Sequence, residues 1–79
     1  MLVAGLIIET VEGAAARVSA RLLQIAGLEV EGGDGSRRIA VVASAPDASA
    51  LEALGRALVE DDEEILGVFP TYVGDDPTP

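Results

Sequence analysis

Residues 28–43 at the centre of the chain read LEVEGGDGSRRIAVVA, and this stretch decides the fold. Apolar and acidic residues alternate over residues 28–31, as they do in a short strand with one covered face. The glycine-rich segment 32–36 has the composition of a tight connection, and residues 37–43 resume as a second, mostly apolar strand. The stretch therefore predicts a β-hairpin.

A strand and a helix are predicted before the hairpin. Residues 2–9, LVAGLIIE, are almost continuously apolar and end in a charge, which is typical of a central strand. Apolar residues then recur at helical spacing, and Gly27 closes this helix at the position where a left-handed residue is common. The predicted helical stripe is Ala15, Val18, Leu22, Leu23 and Ile25.

A helix and a strand are predicted after the hairpin. Either Asp47 or Ser49 caps the helix. Its predicted core stripe is Leu51, Leu54 and Leu58, with Val59 as a marginal member. Residues 60–64 are all acidic and are predicted to be a solvated connector in which the helix frays, because their charge opposes the helix dipole. Residues 65–73 form the last strand, and Pro70 places it at a sheet edge, since proline donates no ladder hydrogen bond.

The element order β-α-β-β-α-β predicts an α+β domain of the ferredoxin-like class. This fold is a two-layer sandwich with an antiparallel sheet in the order 4-1-3-2 and two helices on one face. The order puts the last strand at an edge, in agreement with the argument from Pro70. A chain of 79 residues has material for one core. Residues 1–73 are therefore predicted to be one domain, and residues 74–79 a disordered acidic tail.

Helices cover only one face of such a sheet, and the other face, here called the open face, meets solvent. The predicted core positions on the strands are Leu6, Ile8, Leu28, Val30, Ile39, Val41, Leu66 and Val68. The centre of the open face is then Ile7, Ala40, Val42 and Phe69, with two glycines lowering its floor. An exposed apolar strip of this kind marks a binding surface. The predicted binding residues are Gly5, Ile7, Glu9, Arg38, Ala40, Val42, Ser44, Gly67, Phe69, Thr71 and Val73.

Three carboxylates, those of Glu9, Glu29 and Glu31, are predicted to form an acidic rim around this strip. Two alternatives remain open at this point. A second copy of the chain covers the strip in a homodimer, or a register shift of one residue in a strand exchanges its two faces.

Composition excludes several classes of function. The net charge of −9, from 14 acidic and five basic residues, argues against a nucleic-acid partner or an anionic membrane surface. Without histidine, cysteine or lysine the chain lacks the common nitrogen and sulfur metal ligands and any base to activate a serine, so we expect no enzyme activity, cofactor or metal. It has neither a basic leader segment nor about 20 consecutive apolar residues, and we expect a cytoplasmic protein.

Three segments carry a resemblance to a known family. They are GLIIE at residues 5–9, GLEV at residues 27–30 and ILGVFPTY at residues 65–72. With these segments in the same order over residues 4–73, the chain resembles the NapD family, small cytoplasmic chaperones of the periplasmic nitrate reductase. Pro70 and Thr71 depart from the aliphatic residues expected in that strand.

The resemblance implies a function. Members of that family bind the twin-arginine signal peptide of the nitrate reductase catalytic subunit and restrain its export until the molybdenum cofactor is inserted. By implication, the open face receives this peptide as a helix. We expect the chain to be a monomer or weak homodimer. The alternative is a small ligand-sensing or oligomerisation module of the ACT or Lrp-effector type.

Overall fold

The order of elements in the computed structural model, which describes residues 1–75, matches the predicted order. The elements are β1 (Leu2–Thr10), α1 (Ala15–Leu22), β2 (Leu28–Gly33), β3 (Arg38–Ala45), α2 (Ala48–Asp61) and β4 (Ile65–Asp75). The four strands form one antiparallel sheet in the order β2-β3-β1-β4, which is the predicted order read from the opposite edge. The chain is therefore a ferredoxin-like α+β domain, as predicted.

The two central strands each have one buried and one partly exposed face. In β1, residues 4, 6, 8 and 10 are buried, whereas residues 3, 7 and 9 are half-buried. In β3, residues 39, 41, 43 and 45 are buried, and the residues between them are half-buried. The buried faces share one core with Val18 and Leu22 of α1 and Leu58 of α2. Both helices therefore lie on the same side of the sheet, and the opposite side is the open face.

The first helix is shorter than the sequence predicts. It ends at Leu22, and Leu23 is 67% exposed, so the assignment of Leu23 to the core stripe was wrong. Ile25 packs against the core from the turn that follows. Gly27 has a φ of +88° in this turn, and its carbonyl accepts a hydrogen bond from the amide of Ser44 at 2.8 Å. This bond ties the turn to β3.

The second helix begins with a predicted cap. Oδ1 of Asp47 accepts a hydrogen bond from the amide of Ala50 at 2.8 Å, which satisfies one of the free amides of the first turn. Leu58 is buried, whereas Val59 is 40% exposed and lies outside the core. The helix ends at Asp61, within the acidic run 60–64 that the sequence predicted as its end.

The last strand departs from regular alternation at its start. Thr10 pairs with Ile65, and the next pair is Glu9 with Gly67. Leu66 is therefore an extra residue in β4 with no partner in β1. As a result Ile65 is buried and Leu66 is 58% exposed. The prediction that Leu66 belongs to the core was wrong, and Ile65 takes that place.

A second irregularity follows Pro70. Gly5 of β1 pairs with Tyr72, so Thr71 is the extra residue here. Beyond Thr71 the two faces of β4 are exchanged relative to simple alternation. Val73 consequently faces the helix side, and its predicted place on the open face was wrong.

The last strand lies at the edge of the sheet, as the proline predicted. It pairs with β1 as far as Asp75, two residues beyond the predicted domain boundary. Residues 74 and 75 thus belong to the sheet, and the rest of the predicted tail, residues 76–79, lies outside the described residues. Within residues 1–75, neither helix is long and apolar enough to cross a membrane.

Candidate functional site

The open face has an apolar and accessible centre. Ile7 lies in the middle of the sheet, opposite Ala40 of β3 on one side and Phe69 of β4 on the other. Ile7 and Ala40 are half-buried, and Phe69 is 54% exposed. This row borders a shallow depression of about 500 Å³ whose lining is Ile7, Glu9, Gly33, Arg38, Ala40 and Phe69. The depression therefore combines an apolar centre with the charged side chains of Glu9 and Arg38.

Two aromatic rings cover glycines on this face. A Cβ atom at Gly5 would overlap the ring of Tyr72, and one at Gly67 would lie 2.8 Å from Cζ of Phe69. The two glycines therefore do not leave hollows in the floor, as the sequence suggested, but lie beneath rings. Such ring-over-glycine contacts restore packing where a strand lacks a side chain. They hold two large apolar groups along the β4 edge of the open face.

The charges around the centre are partly paired. Nε of Arg38 lies 3.5 Å from Oε2 of Glu9, the residue opposite it in the β1–β3 pair. Glu29 is exposed and lies opposite Val42 of β3, which places it on the open face. Glu31 is the extra residue of an irregularity in β2. The predicted acidic rim thus consists of one carboxylate in an ion pair and two exposed ones.

Nine of the eleven predicted binding residues share the open face, and they are Gly5, Ile7, Glu9, Arg38, Ala40, Val42, Ser44, Gly67 and Phe69. Thr71 is an extra residue whose hydroxyl lies beside Gly5. Val73 is on the opposite face. The binding role of the nine residues stays a prediction, but their common location is a structural fact.

Sequence reasoning missed Tyr72. Strict alternation from Phe69 assigns Tyr72 to the core side, and only the extra residue Thr71 turns it to the open face. A signal was present in Gly5, because a glycine inside a central strand usually accompanies a close neighbour or a bulge.

The acidic run 60–64 does more than connect α2 to β4. Nε of Arg21 donates to Oδ2 of Asp62 at 2.8 Å, and Nη2 of Arg21 donates to Oε1 of Glu64 at 2.9 Å. Nη2 of Arg17 donates to the other oxygen of Glu64. Hydrogen bonds first from Arg17 and then from Arg21 lower the pKa of Glu64 to about 2. This cluster fastens α1 to the start of β4, so we assign it to the fold rather than to binding.

The β2–β3 turn contains a second carboxylate with a depressed pKa. Oδ1 of Asp34 accepts hydrogen bonds from the amides of Ser36, Arg37 and Arg38 at 2.9 to 3.0 Å. These bonds, of which the one from the Arg38 amide contributes most, lower the pKa of Asp34 to about 2. The carboxylate therefore shapes the turn.

In the described part of the chain, no group of three or more acidic side chains lies close enough together to hold a metal ion.

The geometry defines a ferredoxin-like α+β domain with helices on one side of its sheet and an accessible apolar surface, walled by two aromatic rings, on the other. Comparison of the chain with protein-family models, with curated proteins and with solved structures found no match.

Proposed function

We propose that this chain is a NapD-like chaperone that binds the twin-arginine signal peptide of a periplasmic nitrate reductase catalytic subunit. In this proposal the peptide binds as a helix to the open face, in the cytoplasm, and its export is delayed until cofactor insertion and folding are complete. The observation that best supports the proposal is the accessible apolar row of Ala40, Ile7 and Phe69 across the sheet.

The open face has the width of one helix. Four strands at a spacing of about 4.8 Å span about 14 Å, and a helix with its side chains is about 10–12 Å across. The apolar stretch of a signal peptide would pack on Ile7 and Val42. Phe69 and Tyr72, each 54% exposed, would border it along the β4 edge. This arrangement is the helix-on-groove mode of peptide recognition.

The charge of the chain suits the basic end of such a peptide. A net charge of −9 attracts a peptide with paired arginines from a distance and speeds its association. Once the peptide is close to the open face, the exposed carboxylate of Glu29 can pair with one of its arginines. Glu9 is held by Arg38 at 3.5 Å, and an incoming arginine would compete with Arg38 for it. Arginine is suited to this exchange because it binds carboxylates with two hydrogen bonds.

Sequestration by mass action is the mechanism that we propose. While bound, the paired arginines are hidden from the export machinery, and dissociation of the complex exposes them again. The bound fraction of the peptide depends only on the affinity and on the concentration of free chaperone. The affinity must then be intermediate, or another partner must compete for the peptide.

Calorimetric titration with a twin-arginine signal peptide tests the proposal. We expect binding that weakens as salt is added, and weaker binding of a Lys-Lys peptide, because lysine presents a single point charge. No heat with either peptide at any salt concentration would contradict the proposal. That result would favour the module of ACT or Lrp-effector type, whose sheet face is covered by another domain or copy.

Three variants test whether the peptide binds to the open face. Ile7→Asp and Phe69→Asp each place a charge in its apolar centre and should weaken peptide binding by about tenfold or more. Leu23→Asp is the matched control, because Leu23 is 67% exposed and lies at the end of α1 on the opposite side of the sheet. Equal affinities of all three variants would show that the peptide binds elsewhere.

A further inference from the structure

The helix side of the molecule has a second apolar concavity, here called the α2–β4 groove. It has a volume of about 440 Å³. Most of its apolar lining comes from Leu51, Gly55 and Val59 of α2 and from Val68, Pro70 and Val73 of β4. Val59 and Val73 are 40% and 55% exposed, so apolar surface lies open on this side as well. The groove is separate from the open face, because the sheet lies between them.

Gly55 keeps this groove deep. A glycine inside an α-helix destabilises it relative to alanine by about 1 kcal/mol. Nothing in the structure requires glycine here, because a Cβ atom at Gly55 would meet only Cγ1 of Val68, at an ordinary contact distance of 4.0 Å. A missing side chain at the middle of α2 allows the backbone of a second helix to approach closely.

The two charged residues of the groove have opposite charges, so they can pair with the same two residues of a second copy. Glu52 and Arg56 lie one helical turn apart on the same flank of α2 and both line the groove. Within residues 1–75 neither takes part in an ion pair. If two α2 helices pack antiparallel through the groove, about a two-fold axis at the level of residue 54, Glu52 of each copy lies opposite Arg56 of the other.

We propose that two copies of this chain associate through the α2–β4 groove, with their α2 helices antiparallel. A two-fold interface of this kind repeats each contact twice, so both Glu52–Arg56 ion pairs form together. Typical stable interfaces bury about 800 Å² from each partner, or about a sixth of the 4798 Å² accessible surface of this chain. The α2 helix of 14 residues, about 21 Å long, together with the exposed part of β4, offers a surface of that order. The two open faces stay uncovered, so this association does not depend on peptide binding.

Charge reversal tests the dimer. Sedimentation equilibrium should show wild-type protein as a dimer with a dissociation constant at least tenfold below those of Glu52→Arg and Arg56→Glu. Each reversal places two like-charged pairs across the interface. Mixing the two variants should restore association, because two arginines of one copy then face two glutamates of the other. Native mass spectrometry with one variant labelled by ¹⁵N distinguishes this mixed dimer from either homodimer.

A groove-filling variant separates association from folding. Gly55→Leu places a side chain in the groove and improves the helix propensity of α2, so it should lose association while its melting temperature does not fall. Monomeric wild-type protein at millimolar concentration would overturn the proposal. So would a dimer that survives both reversals, or one that Phe69→Asp dissociates while Glu52→Arg does not, since that dimer would use the open face.

Discussion

The ring of Tyr72 covers Gly5 across the β1–β4 pair, at the position that a side chain of Gly5 would occupy. A similar contact within β4 places the ring of Phe69 over Gly67. The central and edge strands therefore meet without a gap on the open face. These two contacts fix the aromatic rings along the β4 side of the proposed peptide site, so the shape of that site depends on the glycines beneath them.

The contact between Gly5 and Tyr72 predicts a specific loss of stability. Gly5→Ala forces the ring of Tyr72 to move and should lower the free energy of unfolding by about 1–3 kcal/mol, the usual range for overpacking. Urea denaturation measures this change. Gly74→Ala is the matched control, because a Cβ atom at Gly74 meets nothing within 4 Å. It should shift stability by no more than about 0.5 kcal/mol. Similar losses in both variants would contradict the contact.

The extra residue in β4 predicts opposite behaviour for two neighbouring residues. Ile65 is 3% exposed, so Ile65→Ala should destabilise the fold by about 2–5 kcal/mol. Leu66 is 58% exposed, so Leu66→Ala should change stability by about 0.5 kcal/mol or less. Denaturant unfolding of the two variants distinguishes this register from simple alternation, which predicts the larger loss at Leu66.

The arginine cluster predicts a dependence of stability on pH. Hydrogen bonds from Arg17 and Arg21 hold the pKa of Glu64 at about 2, below its usual value of 4.5. A carboxylate with a depressed pKa stabilises the fold above its unfolded-state pKa and loses that contribution as the pH falls through its folded-state pKa. Glu64→Gln should therefore be less stable than wild type at neutral pH, with the difference shrinking between pH 4.5 and about 2.

The neighbouring residue Glu63 is the control for this titration. It is exposed and forms no ion pair within residues 1–75. Glu63→Gln should follow the wild-type stability curve across the same pH range. A Glu64→Gln curve parallel to that of wild type down to pH 2 would show that the cluster does not stabilise the fold.

Local patterns in the sequence were sufficient to predict the order of the helices and strands along the chain and the order of the strands in the sheet. The alternation at residues 28–31 and the turn residues after it predicted the hairpin, because each signal depends on neighbours in the chain. Pro70 predicted the edge strand from its missing amide, and Asp47 was correctly among the two candidates for the cap of α2. These features are determined within a few residues of where they occur.

Features that depend on distant residues could not be predicted in this way. The extra residues Leu66 and Thr71 arise from how β4 matches β1, more than 50 residues away, and alternation within β4 does not reveal them. For the same reason Val73 was assigned to the wrong face and Tyr72 was missed. The pairing of Arg21 with Asp62 joins residues 41 positions apart, and a run of acids gives no sign of its partner.

Nuclear magnetic resonance mapping shows directly whether the signal peptide binds to the open face. A twin-arginine peptide is titrated into ¹⁵N-labelled protein, and the amide shifts are followed. We expect small shifts at Leu23 and along α2, and the largest shifts at Ile7, Ala40, Val42, Phe69 and Tyr72. Largest shifts along the α2–β4 groove, at Leu51, Gly55 and Val59, with the open face unchanged, would contradict binding to the open face.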